Sequence, residues 1–201
     1  MKNKRISNIV SGILTAIAIL LLVSSVVTVV AVEIKRHGNA SGSEEILGKL
    51  NDVIGRTNAC IVDSEDKRKI PHYALNGTDY CGVLYCFSSD REYPVIAPVS
   101  KDITISSGYV YSGSPYNGSL VIMGNATERC FDFADTVDEN DAFLFTDMLG
   151  NQFSYEVISV KHISSPDEFA DDGECDCALI IDKFADKYVL VKMKSAMTNQ
   201  K

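Results

Sequence analysis

The sequence predicts a mainly β domain, a barrel or a sandwich, carried behind one N-terminal membrane-spanning helix. Two observations predict the β domain. From about Cys60 onward, short apolar or alternating runs recur, and turn-type residues separate them. Many short strands spaced in this way close into barrels or pack as sandwiches. A third observation predicts the span: 24 residues from Ile9 to Val32 contain no charge.

A helix needs about 20 apolar residues to cross a bilayer, so residues 9–32 suffice. A cleavable signal has a shorter apolar core, on the order of 7–15 residues, followed by a small-residue site. The flank "VVAVEIKRHG" offers no such site, so the segment reads as a retained signal anchor. Lys2, Lys4 and Arg5 precede the span, and Lys35 and Arg36 follow it. The larger N-terminal cluster places residues 1–8 in the cytoplasm and the C-terminal domain outside the cell.

Residues 33–59 read as a polar linker and an amphipathic helix. Ser43 can cap that helix, with Glu44 and Glu45 in its first turn. Ile46, Leu47, Leu50, Val53 and Ile54 form one stripe at helical spacing, directed at the domain.

The β runs follow over residues 60–194: "GVLYCF", "YPVIAPV", "GYVYS", "SLVIM", "AFLFTD", "FSYEVISV", "CALIID" and "KYVLVKM". "TDMLGNQFSY" reads as a hairpin with Gly150-Asn151 at its tip. "CFDFADTV" and "SPDEFADD" read as helical or irregular. Residues 195–201 form a tail.

An apolar fraction of 46% supports a packed core over most of the chain. Of the 19 Lys and Arg, three precede the span; the remaining 16 face 27 Asp and Glu, a balance of −11. With no basic patch and no basic-aromatic interleaving, nucleic acid is excluded as a partner class.

Six cysteines are present: Cys60, Cys81, Cys86, Cys130, Cys175 and Cys177. An even count outside the cell permits disulfides, and paired or buried thiols are the expectation. Zinc wants four ligands in closely spaced pairs. Cys81 and Cys86 stand five positions apart, Cys175 and Cys177 only two, and no His-x₃₋₅-His occurs to complete a site. No metal and no cofactor is expected.

The order of these runs resembles the sortase family, the membrane-anchored transpeptidases of Gram-positive surfaces. The resemblance spans about Gly82 to Met193, over half the chain. "NGSLVIMGN" matches a segment that ends in Gly-His in sortases. "FDFA", "DENDAFLF" and "SYEVISV" follow in family order. "ALIID" matches a strand that ends in Thr-Cys, and "KYVLV" one that opens with Arg. The resemblance implies a closed β-barrel with short helices.

It also implies that the catalytic His, Cys and Arg slots fall on Asn125, Asp182 and Lys187. In the family, the thiolate attacks a sorting-motif carbonyl, the His moves protons and the Arg steadies the oxyanion. An asparagine exchanges no proton near neutral pH. An aspartate is a weak nucleophile, and its charge opposes a developing oxyanion. A lysine keeps the cation but loses the planar fork.

No transpeptidation is therefore expected at this site. The expected role is binding of surface proteins, sorting-motif peptides or an active sortase in cell-surface or pilus assembly. Each slot residue also has a plainer reading. Gly124-Asn125 can be a turn, and Asp182 and Lys187 can be solvated charges beside one.

Two enzyme readings compete. A relocated pair, Cys130 with His162, would make an atypical active cysteine transpeptidase. Cys177 is a poor substitute, because on one strand it faces away from Asp182. "YSGSPYNGSLVIM" resembles the serine box of signal peptidases, but Pro115 replaces its Met and no general base is in place. "SGSP" reads more simply as a turn.

Overall fold

The computed structural model describes residues 43–56, 70–98, 107–127, 130–169, 173–183 and 187–196. All lie in the unit 43–201. The predicted span 9–32, the linker 33–42 and Cys60 fall outside the described residues. Among the described residues, no helix is long and apolar enough to cross a membrane.

Helix α1 covers residues 43–53. Ser43 is itself helical and not the cap expected of it. The predicted stripe docks on the outside of the sheet. Leu50 is buried with Tyr80, Val83, Ile96 and Met148, and Ile46, Leu47, Val53 and Ile54 pack around them. Burial of one such leucine stabilises by about 1.5–3 kcal/mol. The helix stops at Gly55, whose φ of 82° suits a residue without Cβ; its N–H donates to the Met148 carbonyl at 3.2 Å.

Nine strands follow among the described residues: β1 (Tyr73–Leu75), β2 (Thr78–Cys86), β3 (Arg91–Ile96), β4 (Gly108–Ser112), β5 (Leu120–Asn125), β6 (Ala142–Asp147), β7 (Gln152–Ile163), β8 (Cys177–Asp182) and β9 (Tyr188–Ser195). Their order is β1-β2-β3-β4-β5-β8-β9-β7-β6, and β6 pairs back onto β2. The strands from β2 round to β6 thus close a barrel of eight, with β1 appended to its edge. All pairings are antiparallel except β3–β4 and β5–β8.

Each apolar run named from sequence contributes most of its described residues to a strand. The short β1 was not anticipated. Its signal was Asn76-Gly77, whose φ values of 53° and 83° make a hairpin turn. At the other hairpin, Gly150 has φ 85°, and Asn151 returns its carbonyl to the Asp147 N–H at 3.0 Å. "CFDFADTV" and "SPDEFADD" contain short 3₁₀ turns, Asp132–Asp135 and Pro166–Glu168. "SGSP" is a turn as expected. Ser114 caps the 3₁₀ turn Pro115–Asn117 by accepting the Tyr116 N–H, a structural task for a buried hydroxyl.

The interior is filled by Leu84, Val95, Leu120, Ile122, Phe131, Phe133, Phe143, Phe145, Leu179 and Val191, among others. Cys81, Cys86, Cys130 and Cys177 belong to this interior as free buried thiols. The disulfide half of the cysteine expectation therefore fails for these four, and the buried half holds. Their side chains fill apolar volume between strands and face no partner thiol.

Closure imposes a tight fit at Gly82, which lies opposite Asp147. A Cβ there would stand 2.4 Å from the Thr146 carbonyl oxygen and 2.7 Å from the Phe145 ring. Gly82→Ala is expected to cost about 1–3 kcal/mol by overpacking. Gly48→Ala, on α1 with open space around it, is expected to stabilise by about 0.4–1 kcal/mol. Urea unfolding of both variants followed by circular dichroism checks the pair.

Candidate functional site

The site expected from sequence lies where β5 and β8 run parallel. Their register pairs Met123 with Ile180 and Asn125 with Asp182. On the other side of β8, Asp182 pairs with Tyr188 of β9. Paired residues share a face, and alternation fixes which one. Leu120, Ile122, Leu179 and Ile181 point into the barrel. Val121, Ala178, Ile180 and Leu190 form a separate apolar cluster on the outer face, with Met123, Ile163, Phe169 and Tyr188 packed on it. By the same alternation, Asn125 and Asp182 stand on that outer face beside Met123 and Ile180.

The floor is thus apolar, and its far end is covered by Phe169 and Cys175 of the β7–β8 connection. Fastenings hold the ends of that connection. The Glu168 carboxylate accepts the Ser164 N–H at 3.0 Å, and the Asp176 carboxylate accepts the Ser195 N–H at 2.8 Å. The near end is more open: Met123, Asn125, Asp182 and Tyr188 are only partly buried. Tyr109 of β4 borders it, donating its hydroxyl to the Met123 sulfur at 3.0 Å. Burial pushes the Tyr109 phenol up, and Tyr111, Tyr188 and the Asp182 charge add to the shift. Tyr111 lies where the β4–β5 register slips, and it is exposed. The result is an aromatic, half-apolar end of this outer face, with one amide and one carboxylate in register.

Asn125 is not in a turn. Neither Gly124 nor Asn125 has positive φ; both belong to β5. Gly124 is needed for close packing. A Cβ there would meet the Phe131 ring at 2.6 Å and the Cys130 sulfur at 2.8 Å. Gly108 on β4 is pressed by the same ring at 2.7 Å. Phe131 reaches this position with a left-handed backbone, φ 44°, which a bulky residue adopts only under compulsion. The chain then enters the 3₁₀ turn Asp132–Asp135. Asp132 pairs with Arg91 and accepts the Tyr93 hydroxyl, while Asp135 pairs with Lys183.

The remaining sequence candidates divide. Lys187 stands one residue before β9, so the residue in register with Asp182 is Tyr188, which sequence reading passed over. The Lys187 carbonyl accepts the Lys183 N–H at 2.8 Å. His162, exposed on β7, pairs with Val189. Lys187, His162 and Lys183 line one cleft together with Ile163, Ser164 and Tyr188. Cys130 is buried in the barrel interior. Cys177 begins β8 and faces inward, opposite in sense to Asp182.

No protein-family model matches the chain, and no curated protein matches it. Solved structures do. Sortase A from Corynebacterium diphtheriae superposes with a TM-score of 0.52 at 21% identity, over 61% of this chain and 63% of that one. The match therefore spans less than two thirds of that enzyme's chain. A lid mutant of the same sortase gives 0.51 at 21% identity, over 60% and 72%. Sortase C from Clostridium perfringens SM101 gives 0.49 at 20% identity, over 61% and 72%. The first two establish that the domain has a sortase-like fold.

Burial pushes the Cys130 thiol up to about 12, against the Asn125 N–H and helped by the Asp132 charge. At neutral pH this sulfur is a thiol, not a nucleophilic thiolate. Iodoacetamide is expected to leave Cys130 unlabelled in native protein and to label it after unfolding, as read by peptide mass spectrometry. The same shift sets an alkaline limit. The unfolded thiol ionises near 9.0 while the folded one stays protonated to about 12. Stability from this group is full below pH about 9 and is lost as pH rises from there toward 12. Cys130→Ala should flatten that decline in denaturation curves taken across the range.

Proposed function

We propose that this sortase-like fold serves as a membrane-anchored, extracellular and catalytically silent binding protein. Its ligand is an extended segment of a surface protein, of the sorting-motif kind, presented during cell-surface or pilus assembly. The observation that carries this reading is the chemistry of the outer face where β5 and β8 meet. An apolar floor is in place, with Asn125, Asp182 and Tyr188 in register across three strands. The cysteines of β8 and of the loop after β5, Cys177 and Cys130, point to the interior.

Each group on that face supports binding over chemistry. The amide of Asn125 offers both a donor and an acceptor to a peptide backbone, but takes up no proton. Asp182 would repel the oxyanion that amide cleavage develops. Met123 adapts to varied side chains, and the tyrosines offer large contact area with a polar tip. Anchoring and outward orientation rest on the uncharged run Ile9–Val32 and the cations before it.

The test uses the full chain in detergent micelles with a fluorescent sorting-motif peptide. Saturable binding is expected, with the peptide recovered intact and no adduct on any cysteine. Met123→Glu places a charge on the contact surface and should weaken binding by about tenfold or more. A cleaved peptide or a thioester on a cysteine would replace this reading with an active transpeptidase. Absence of binding, together with no partner above background on co-purification from membranes, would reduce the domain to a scaffold.

A further inference from the structure

The cleft where β7 and β8 end and β9 begins has a chemistry unlike the rest of the described residues. It is about 460 Å³ and is lined by His162, Ile163, Ser164, Lys183, Lys187 and Tyr188. Two lysines and a histidine converge there, and none of the described residues lining it is a carboxylate. The chain as a whole carries a formal charge of −8. A cationic hollow in an acidic surface focuses the field on anions.

The backbone holds the two lysines in place. The Lys183 N–H donates to the Lys187 carbonyl at 2.8 Å, closing the neck of the β8–β9 connection. Lys183 already engages one carboxylate, that of the largely exposed Asp135. Lys187 has no ion-pair partner among the described residues.

Two lining residues join this cleft to the groove. Ile163 and Tyr188 pack on the outer apolar cluster with Met123 and Ile180, and Tyr188 is in register with Asp182. A chain laid along the floor past Tyr188 therefore runs into the cationic hollow. Ser164 and the Tyr188 hydroxyl add neutral hydrogen-bonding groups at the same place.

We propose that the cleft of Lys183, Lys187 and His162 binds the acidic flank of the peptide seated in the groove, so that the domain selects segments with carboxylates next to an apolar stretch. The proposal rests on the groove-binding reading above. Lys187 supplies the main charge, and Lys183 shares its ammonium between Asp135 and the ligand. The apolar wall of Ile163 and Tyr188 favours a peptide over a bare inorganic anion, because it buries the chain on either side of the carboxylate.

The experiment compares two labelled peptides on the full chain in micelles. Both are short, extended and built of valine and alanine; one ends in two glutamates, the other in two glutamines, and both are amidated. The glutamate peptide is expected to bind roughly tenfold tighter, as charge-assisted contacts predict. Lys187→Ala, an exposed change that leaves the barrel intact, should erase that preference and leave the glutamine peptide unaffected. Raising salt should shrink the preference in the same direction. Equal binding of the two peptides to the unaltered protein would overturn the cleft proposal while the groove reading stands. Failure of both peptides to bind would overturn the two together. Saturable binding of inorganic phosphate that depends on Lys187, without any preference between the peptides, would assign the cleft to a phosphate ligand instead.

Discussion

The closure of the barrel through β2 and β6 is the constraint on which the rest depends. β2 must pair on both edges, with β3 and with β6, over most of its length. It can do so because position 82 is glycine and because the β2–β3 register slips between Tyr80 and Gly82. The slip puts Tyr80 and Val83 on the outside under α1, while Cys81 and Leu84 stay inside. A second device holds the closing hairpin. Asp147 is fully buried, and its carboxylate accepts the N–H groups of Leu149 and Asn151 at 2.9 and 2.8 Å and the Asn151 side chain at 3.0 Å. It also accepts the Tyr116 hydroxyl, which ties the β6–β7 turn to the turn after β4. A buried carboxylate is tolerable only when satisfied this fully.

Once the barrel is closed, alternation along β5, β8 and β9 sorts chemistry between two environments. The Cys177 thiol goes inward, where it behaves as a small apolar side chain. Asn125, Asp182 and Tyr188 go outward, onto a face already floored by Met123 and Ile180. The parallel pairing of β5 with β8 makes the two strands end together, and that alone brings Asn125 beside Asp182 although more than fifty residues separate them in sequence. The ring of Phe131 locks the arrangement from within, resting against the two glycines of β4 and β5.

Acidic residues at this end act locally. Asp132 clamps the turn after β5 to Arg91 and Tyr93 of β3, and Asp135 clamps the same turn to Lys183 after β8. Surface ion pairs of this kind contribute little stability individually. Their service is positional: they fix the turn beside the ends of β5 and β8. The surface acidity read from composition therefore has a patterned exception, the lysines about the β8–β9 connection.

Much of the fold was legible in the sequence, because the information was local. Period-two alternation and turn residues marked the strands, and the stripe of Ile46, Leu47, Leu50 and Val53 marked α1. The order of the runs carried the resemblance that implied a closed barrel. Asn76-Gly77 was an equally local signal for β1. The site was only partly legible. That Cys177 and Asp182 face opposite sides follows from their spacing. Other features come from distant segments meeting: Tyr188 rather than Lys187 opposite Asp182, Gly124 as a packing glycine, free thiols in place of disulfides, and two lysines and a histidine gathered into one cleft. Sequence determined which segments become strands and which face of each is apolar, since both are set by neighbours a few residues away. Only the tertiary structure decided register, because it is fixed by closure of the whole barrel, and register decides which side chains share a site.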